Sequence, residues 1–323
     1  MTTVHQNLPR NVPNPKQNLQ FDIAEYALAG SAAVCAGLFT NPLEVMKVRM
    51  QLQGELHARG KHAVHYRHVF HAGYVIAKHD GILALQAGLA PALWFQLCLN
   101  GFRLGSYQVI DNSGLIRDDN GQIIFYRNVV AGGLCGATGA FLGSPLYLIK
   151  THLQARAASE IAFGHQHQHT GMIHAFRTIW KDGGVRGLFR GSTSSLPRAC
   201  CGSMAQLTSF AYCKQMLAKH AAFKDRPITI AFAASMVGGV ITAFAMTPFD
   251  LISTRLYNQG VDKNGKGLLY QGYFDCVRKI HNAEGALAFY KGFGACYFRL
   301  GPHTVLTLMF WDTFKDYYNR YVR

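Results

Sequence analysis

Pro42-Leu43-Glu44-Val45-Met46-Lys47-Val48-Arg49-Met50-Gln51 closes a long apolar run, and the chain repeats this kind of passage twice more. Pro145 and Pro248 follow at steps of 103 residues each. Tyr147, Lys150, His152 and Gln154 trail the second proline, and Asp250, Ser253, Arg255 and Tyr257 the third. A period this long exceeds a solenoid unit, so each copy reads as a two-helix module and three copies imply pseudo-threefold symmetry. Further along each copy lies an acid near a glycine, as Asp80-Gly81, Asp182 before Gly184, and Glu284-Gly285; seven residues past these glycines stand Gly88, Gly191 and Gly292. Upstream of the prolines, Ala29 and Ala33, Gly132 and Gly136, and Ser235 and Gly239 recur at a spacing of four, which lets two helices approach closely in lipid.

The distribution of charge sets the class. Of 323 residues, 49% are hydrophobic and 15% charged, and uncharged stretches run over Tyr26 to Leu43, Gly81 to Phe102, Asn128 to Ile149 and Pro227 to Phe249. Each approaches or exceeds the roughly 20 residues that cross a bilayer. Ala199 to Cys213 and Leu300 to Trp311 are shorter because Arg198 and Arg299 interrupt them. Six spans are therefore expected, near 24–52, 91–111, 127–155, 193–218, 228–259 and 293–318. A mean hydropathy of +0.05 fits helices that line a polar interior. Between the members of each pair the pattern predicts a short amphipathic surface helix; in Val69 to Lys78, the residues Val69, Phe70, Tyr74, Val75 and Ile76 are expected on one side. The three units occupy 22–115, 124–220 and 226–320, and the proline-bearing segment 1–21 is expected to be a disordered tail.

The formal net charge is +15, from 32 Lys and Arg against 17 acids, spread over loops and single helix positions. That spread excludes a compact nucleic-acid face and suits anionic lipid or an anionic ligand. Eight cysteines without metal spacing read as free thiols. The tail lacks both the apolar core of a secretory signal and a transit-peptide pattern. Loops carrying His57, His62, His65, His68 and His71, and His165, His167 and His169, lack the carboxylates that support metal ligands, so no metal site is expected. Gly260 to Gly267 approximates a phosphate loop, but Gly267 stands where a magnesium-holding hydroxyl belongs, and no nucleophile-base constellation occurs; an enzyme with a bound cofactor is not expected.

The proline passages, together with Phe189-Arg190-Gly191 and Tyr290-Lys291-Gly292, resemble the signature of the mitochondrial carrier family, over about residues 22 to 320. Repeat one departs with Gln86-Ala87-Gly88. The resemblance implies an all-α membrane protein of six transmembrane helices in three repeats, with kinks at Pro42, Pro145 and Pro248. It also implies a matrix gate pairing Glu44 with Lys150, Asp250 with Lys47, and Tyr147 with Ser253, the last having lost both charges together. Gln51, Gln154 and Tyr257 take the brace positions. On the opposite side only Asp312 and Lys315 match a second network, whose other positions hold Gln108, Asp111, Ala211 and Lys214, so a weak cytoplasmic gate is expected. An interfacial ring of snorkelling charges is the alternative for the gate residues.

Seven residues past the motif glycines, the family's contact positions fall on Phe95, Arg198 and Arg299, flanked by Gln96 and Ala199, with Arg103 deeper. Isolated arginines in spans are costly and face water or ligand, and their fork fits carboxylate or sulfate; bonding to backbone carbonyls is the alternative. Phe298 to Thr304 and Phe102 to Tyr107 look like dicarboxylate-carrier segments. The most similar group is members 34 and 35 of solute carrier family 25, with the fungal oxaloacetate and sulfate carrier as a relative. This implies exchange of small dianions (oxaloacetate, malonate, malate, sulfate) across the inner mitochondrial membrane by a monomer. Cardiolipin is expected at Arg190, Gly191, Lys291 and Gly292. A proton or chloride leak pathway, or a transport-inactive scaffold, are the rival readings.

Overall fold

In the computed structural model, residues 15–57, 66–116, 118, 124–218, 227–262 and 265–321 are described. Among them the fold is helical. Ten α-helices follow in order: α1 (Pro15–Leu52), α2 (Val69–His79), α3 (Leu89–Asn112), α4 (Phe125–Leu142), α5 (Ser144–Ala155), α6 (Met172–Leu188), α7 (Ser192–Ala218), α8 (Pro227–Asn258), α9 (Tyr273–Glu284) and α10 (Phe293–Tyr321). Helix α1 begins at Pro15, inside the stretch expected to be a disordered tail. Proline suits that place because a first-turn N–H has no helical partner to lose.

The long helices close into a ring. α1 packs on α3 and α10, α4 on α3 and α7, and α8 on α7 and α10. Small residues make the contacts close: a Cβ on Gly136 would stand 2.5 Å from Ser203 Oγ, and one on Gly139 2.7 Å from the Leu99 carbonyl oxygen. The spacing of four around Gly132 and Gly136 thus fits α4 onto α7. The ring is inverted relative to a water-soluble fold. Phe39, Leu134, Val237, Phe244 and Met309 are exposed outside, while Lys47, Arg49, Asp250 and Arg255 are buried within, the arrangement a lipid solvent favours.

By length and apolar composition, two described segments qualify to cross a membrane, Ile82–Asp111 and Ala233–Asn258, with the bent pair α4–α5 as a third. The sequence pointed to six. α1, α7 and α10 are long enough at 38, 27 and 29 residues, but polar residues such as Arg198 and Gln206 on α7 and Arg299 and Thr304 on α10 lower their hydropathy.

Pro42 and Pro248 sit inside continuous helices, whereas α4 and α5 meet at 66° just before Pro145. The break falls at Gly143, two residues before the proline whose missing N–H leaves the helical ladder open there. Surface helix α2 buries Val69, Ala72 and Ile76 and exposes Phe70 and Tyr74. This corrects the expected grouping, since at 100° per residue Phe70 and Tyr74 lie away from the Val69–Ile76 face. Among the described residues near Gly260, Asp262 N–H donates to the Lys266 carbonyl and Leu268 N–H to the Gly260 carbonyl, both at 2.9 Å, a small antiparallel pairing rather than the strand-to-helix turn of a phosphate loop.

Candidate functional site

Inside the ring, the three proline-bearing helices converge and their charges meet. Lys47 Nζ lies 2.7 Å from Asp250 Oδ2, and Lys150 Nζ bonds Glu44 Oε2. Gln51 Nε2 donates to the same Asp250 oxygen at 3.0 Å and accepts from Thr254 Oγ1 at 2.9 Å, so it braces one pair directly. Gln154 Nε2 donates instead to Asn41 Oδ1 at 3.1 Å, and Tyr257 braces through its ring, edge-on to Tyr147 at 4.9 Å. The third expected pair is not a contact: Ser253 Oγ donates to the Ser194 carbonyl at 2.8 Å. Without a charge at either position, Tyr147 packs between Phe95 and Tyr257.

Arg299 Nη1 donates to Glu44 Oε1 at 3.1 Å, and Arg198 Nη1 stands 4.0 Å from Asp250 Oδ1 with its guanidinium 4.7 Å over the Tyr147 ring. These two arginines had been expected at a level free of acids, but Glu44 on α1 and Asp250 on α8 lie against them. Four cations and two carboxylates form one cluster, a formal excess of two positive charges. The Nε–H groups of Arg198 and Arg299 are buried without a protein partner, as is Asp250 Oδ1. Such groups are costly unless water or a ligand meets them.

Arg103 is separate. It lines a cavity of about 460 Å³ with Tyr107, Asn128, Ser203, Gln206 and Thr304, whereas Arg198 and Arg299 lie outside that lining. Phe95, expected at a contact position, is buried beside the gate, with Lys150 Nζ 5.6 Å over its ring and Tyr147 edge-on to it at 5.2 Å. Gln96 Nε2 lies 3.3 Å from His303 Nε2, whose Nδ1 lies 3.1 Å from Thr40 Oγ1. His303 thereby joins α1, α3 and α10 beside the cluster. The sequence showed it only as one residue of a dicarboxylate-like segment, since its partners lie 207 and 263 residues away.

The repeats also lock together cyclically. Gly88, Gly191 and Gly292 have positive φ, and a Cβ on each would press the brace residue of the next repeat: Gln154 Cγ at 3.0 Å, Tyr257 Cδ1 at 3.1 Å and Gln51 Cγ at 3.0 Å. Gly191→Ala combines left-handed backbone with this contact, so a loss of about 1–3 kcal/mol is expected. Thermal unfolding of the purified protein in detergent checks it, with Gly114→Ala, where φ is also positive but nothing lies within 4 Å, as the milder comparison.

A second cyclic exchange lies beneath. Arg49 Nε donates to the Gln154 carbonyl at 3.3 Å, Arg255 Nε to the Gln51 carbonyl at 3.3 Å, and His152 Nε2 lies 2.9 Å from the Tyr257 carbonyl. In repeats one and three the guanidinium also takes the landmark acid, Asp80 for Arg49 and, through both nitrogens, Glu284 for Arg255. In repeat two, imidazole is too short for that second role.

Comparison with known proteins places this arrangement. The sequence model of the mitochondrial carrier protein family matches residues 20–115, 121–221 and 224–322. The chain belongs to the mitochondrial carrier family. It is 50% identical to solute carrier family 25 member 35 of Mus musculus, across 93% of this chain and all of that protein. It is 38% identical to the mitochondrial oxaloacetate transport protein of Saccharomyces cerevisiae, across 93% of this carrier and 94% of the relative. Mitochondrial citrate transporter E of Aspergillus niger is also 38% identical, across 87% and 89% of the two chains. Members of this family are transporters, not enzymes, and the relatives imply a mitochondrial membrane for this carrier.

The positions expected to hold lipid phosphate are already engaged in the carrier. Lys291 Nζ bonds Glu284 Oε2 at 2.5 Å and the Gln53 carbonyl at 3.2 Å, and Arg190 Nη2 donates to the Gln259 carbonyl at 3.3 Å. All eight cysteines are free thiols. Among the loop histidines, His62 and His65 lie outside the described residues. His167 and His169, expected to be idle, pack with His152 so that one ligand nitrogen from each lies within 4.8 Å of the others. Backbone carbonyls, invisible in sequence, orient two of these rings in place of the carboxylates whose absence weighed against a metal site.

Proposed function

We propose that this carrier exchanges small dianions across the inner mitochondrial membrane by alternating access, with six transmembrane helices surrounding one path. The supporting observation is the gate cluster: two carboxylates, four cations, and two buried guanidinium groups each with an unpartnered Nε–H. Its formal excess of two positive charges matches a dianion such as oxaloacetate, malate, malonate or sulfate, and a planar fork suits two oxygens at once. The names of the yeast and Aspergillus relatives, oxaloacetate and citrate transport, support the same chemical class.

A dianion arriving past Arg103 competes with Glu44 and Asp250 for Arg299 and Arg198. Drawing those arginines away leaves each carboxylate with one lysine, which weakens the gate only when substrate is present. This is binding energy spent on the transition between states rather than on the resting complex.

Purified protein in liposomes, given labelled malonate, oxaloacetate or sulfate with and without internal substrate, tests the reading. Uptake that requires an internal anion supports antiport. Flux indifferent to internal anion favours a leak pathway, and no uptake by folded protein favours a scaffold; either overturns the proposal.

A further inference from the structure

The threefold exchange of carbonyl bonds has one exception, and the exception has the makings of a ligand site. Arg49 and Arg255 each spend one edge on the neighbouring repeat's carbonyl and the other on an acid. His152 fills the same carbonyl slot with Nε2 at 2.9 Å from Tyr257 O. Only a protonated nitrogen bonds a carbonyl, so Nδ1 carries the lone pair, and it faces His169 Nε2 at 3.4 Å. His167 repeats the pattern: its Nε2 lies 3.0 Å from the Asn258 carbonyl, and its ring stacks on His152 at 3.5 Å. Its Nδ1 is therefore also the lone-pair nitrogen. His169 is 7% exposed and His152 2% exposed, and His169 Nδ1 has no partner.

Two buried imidazoles and a half-buried one lie with their ring nitrogens together, two of them oriented by backbone carbonyls through the opposite nitrogen; an ion would displace the proton that His169 Nε2 shares with His152 Nδ1, giving the usual support of a metal-bound histidine set. We infer that His152, His167 and His169 bind one divalent first-row transition metal ion, of which zinc is the representative, at the inner end of α5.

In the alternation His165-Gln166-His167-Gln168-His169, the rings of His167 and His169 come to lie parallel at 5.6 Å. Zinc–nitrogen bonds of about 2.0–2.1 Å need nitrogens about 3.4 Å apart, so a set already within 4.8 Å closes by about 1.4 Å or less. Loop rotamers of His167 and His169 supply that movement while His152 stays fixed. An all-nitrogen set selects against magnesium and calcium, which take oxygen. Asp182, the landmark acid that His152 does not reach, acts electrostatically on His169 and offsets part of the dication's charge; Arg190 opposes it.

The ion would tie α5 to the α5–α6 loop while His152 still grips α8 through Tyr257, so it fastens repeats two and three on the gate side. Resting on the transport reading above, zinc presented to that side slows exchange and a chelator restores it.

Untagged, chelator-stripped, full-length protein in detergent is titrated with Co2+, followed by its visible absorption, and then with Zn2+ in competition. One equivalent of Co2+ giving tetrahedral-type bands, displaced by Zn2+, is expected, together with a Zn2+-dependent rise in Tm. The His167→Gln/His169→Gln variant, which leaves the His152–Tyr257 contact in place, should lose at least about 100-fold in affinity and the whole Tm rise. His68→Gln/His71→Gln, in the other histidine loop, should keep both. Identical titrations for wild type and the His167/His169 variant, or no binding by wild type, overturn the inference. Metal binding by a protein that moves no anion would refute the transport reading alone.

Discussion

Arg299→Ala is expected to reduce anion exchange in liposomes at least about 100-fold while the protein remains folded. Arg299 donates to Glu44 and keeps a buried Nε–H for a ligand, and two charge-assisted hydrogen bonds to a dianion at about 1.5–3 kcal/mol each account for that factor or more. The fold should survive because Glu44 retains Lys150. Arg299→Lys separates charge from geometry: an ammonium can still neutralise Glu44 but has no planar fork, so Tm should return towards wild type while exchange stays low. Arg198→Ala should behave alike through Asp250, which keeps Lys47. Wild-type exchange rates in both alanine variants would remove these arginines from the site.

The second large effect concerns stability. Glu284 accepts two bonds from Arg255, one from Lys291 and one from the Leu56 N–H. Arg255 is fully buried. Glu284→Gln therefore strands a buried guanidinium and should destabilise the protein by about 3–5 kcal/mol, read as a lower Tm in detergent. An Arg255→Met/Glu284→Leu pair, which removes both charges, should recover most of the loss; no recovery would mean that the pair does more than satisfy itself.

The pH dependence has a definite sign. Burial alone raises the Glu284 pKa, but the hydrogen bonds and charge of Arg255 and Lys291 outweigh it and hold the carboxylate below its ordinary value. Its stabilisation is thus complete above the unfolded carboxylate pKa of about 4.3 and fades as pH falls below it, so wild type and Glu284→Gln should converge in acid.

Much of the architecture was legible because it is written three times. The proline spacing, the small residues at intervals of four and the glycines seven past each landmark are local requirements: a missing N–H, a close helix approach, a left-handed backbone. Each leaves its mark on one residue type at one position. The charged gate pairs were legible through the family resemblance, since Glu44 and Lys47 are three residues apart and by spacing alone could equally have paired along one helix.

What the sequence could not supply was the third dimension of that symmetry. It placed Arg198, Arg299 and Arg103 together as one anion site, but the packing of α7 and α10 against α8 and α1 sets two of them on the gate acids and leaves Arg103 in the cavity. It treated the second histidine loop as idle, whereas the fold turns His167 and His169 beneath His152, at the one repeat where an arginine is missing. Backbone carbonyls of Tyr257 and Asn258 orient those rings, and a carbonyl has no letter in the sequence. Local backbone chemistry and repetition were therefore determined by the sequence itself, while the contacts of Arg198 and Arg299 with the gate acids, and of His152 and His167 with carbonyls 105 and 91 residues away, were decided only by how the three repeats close on one another.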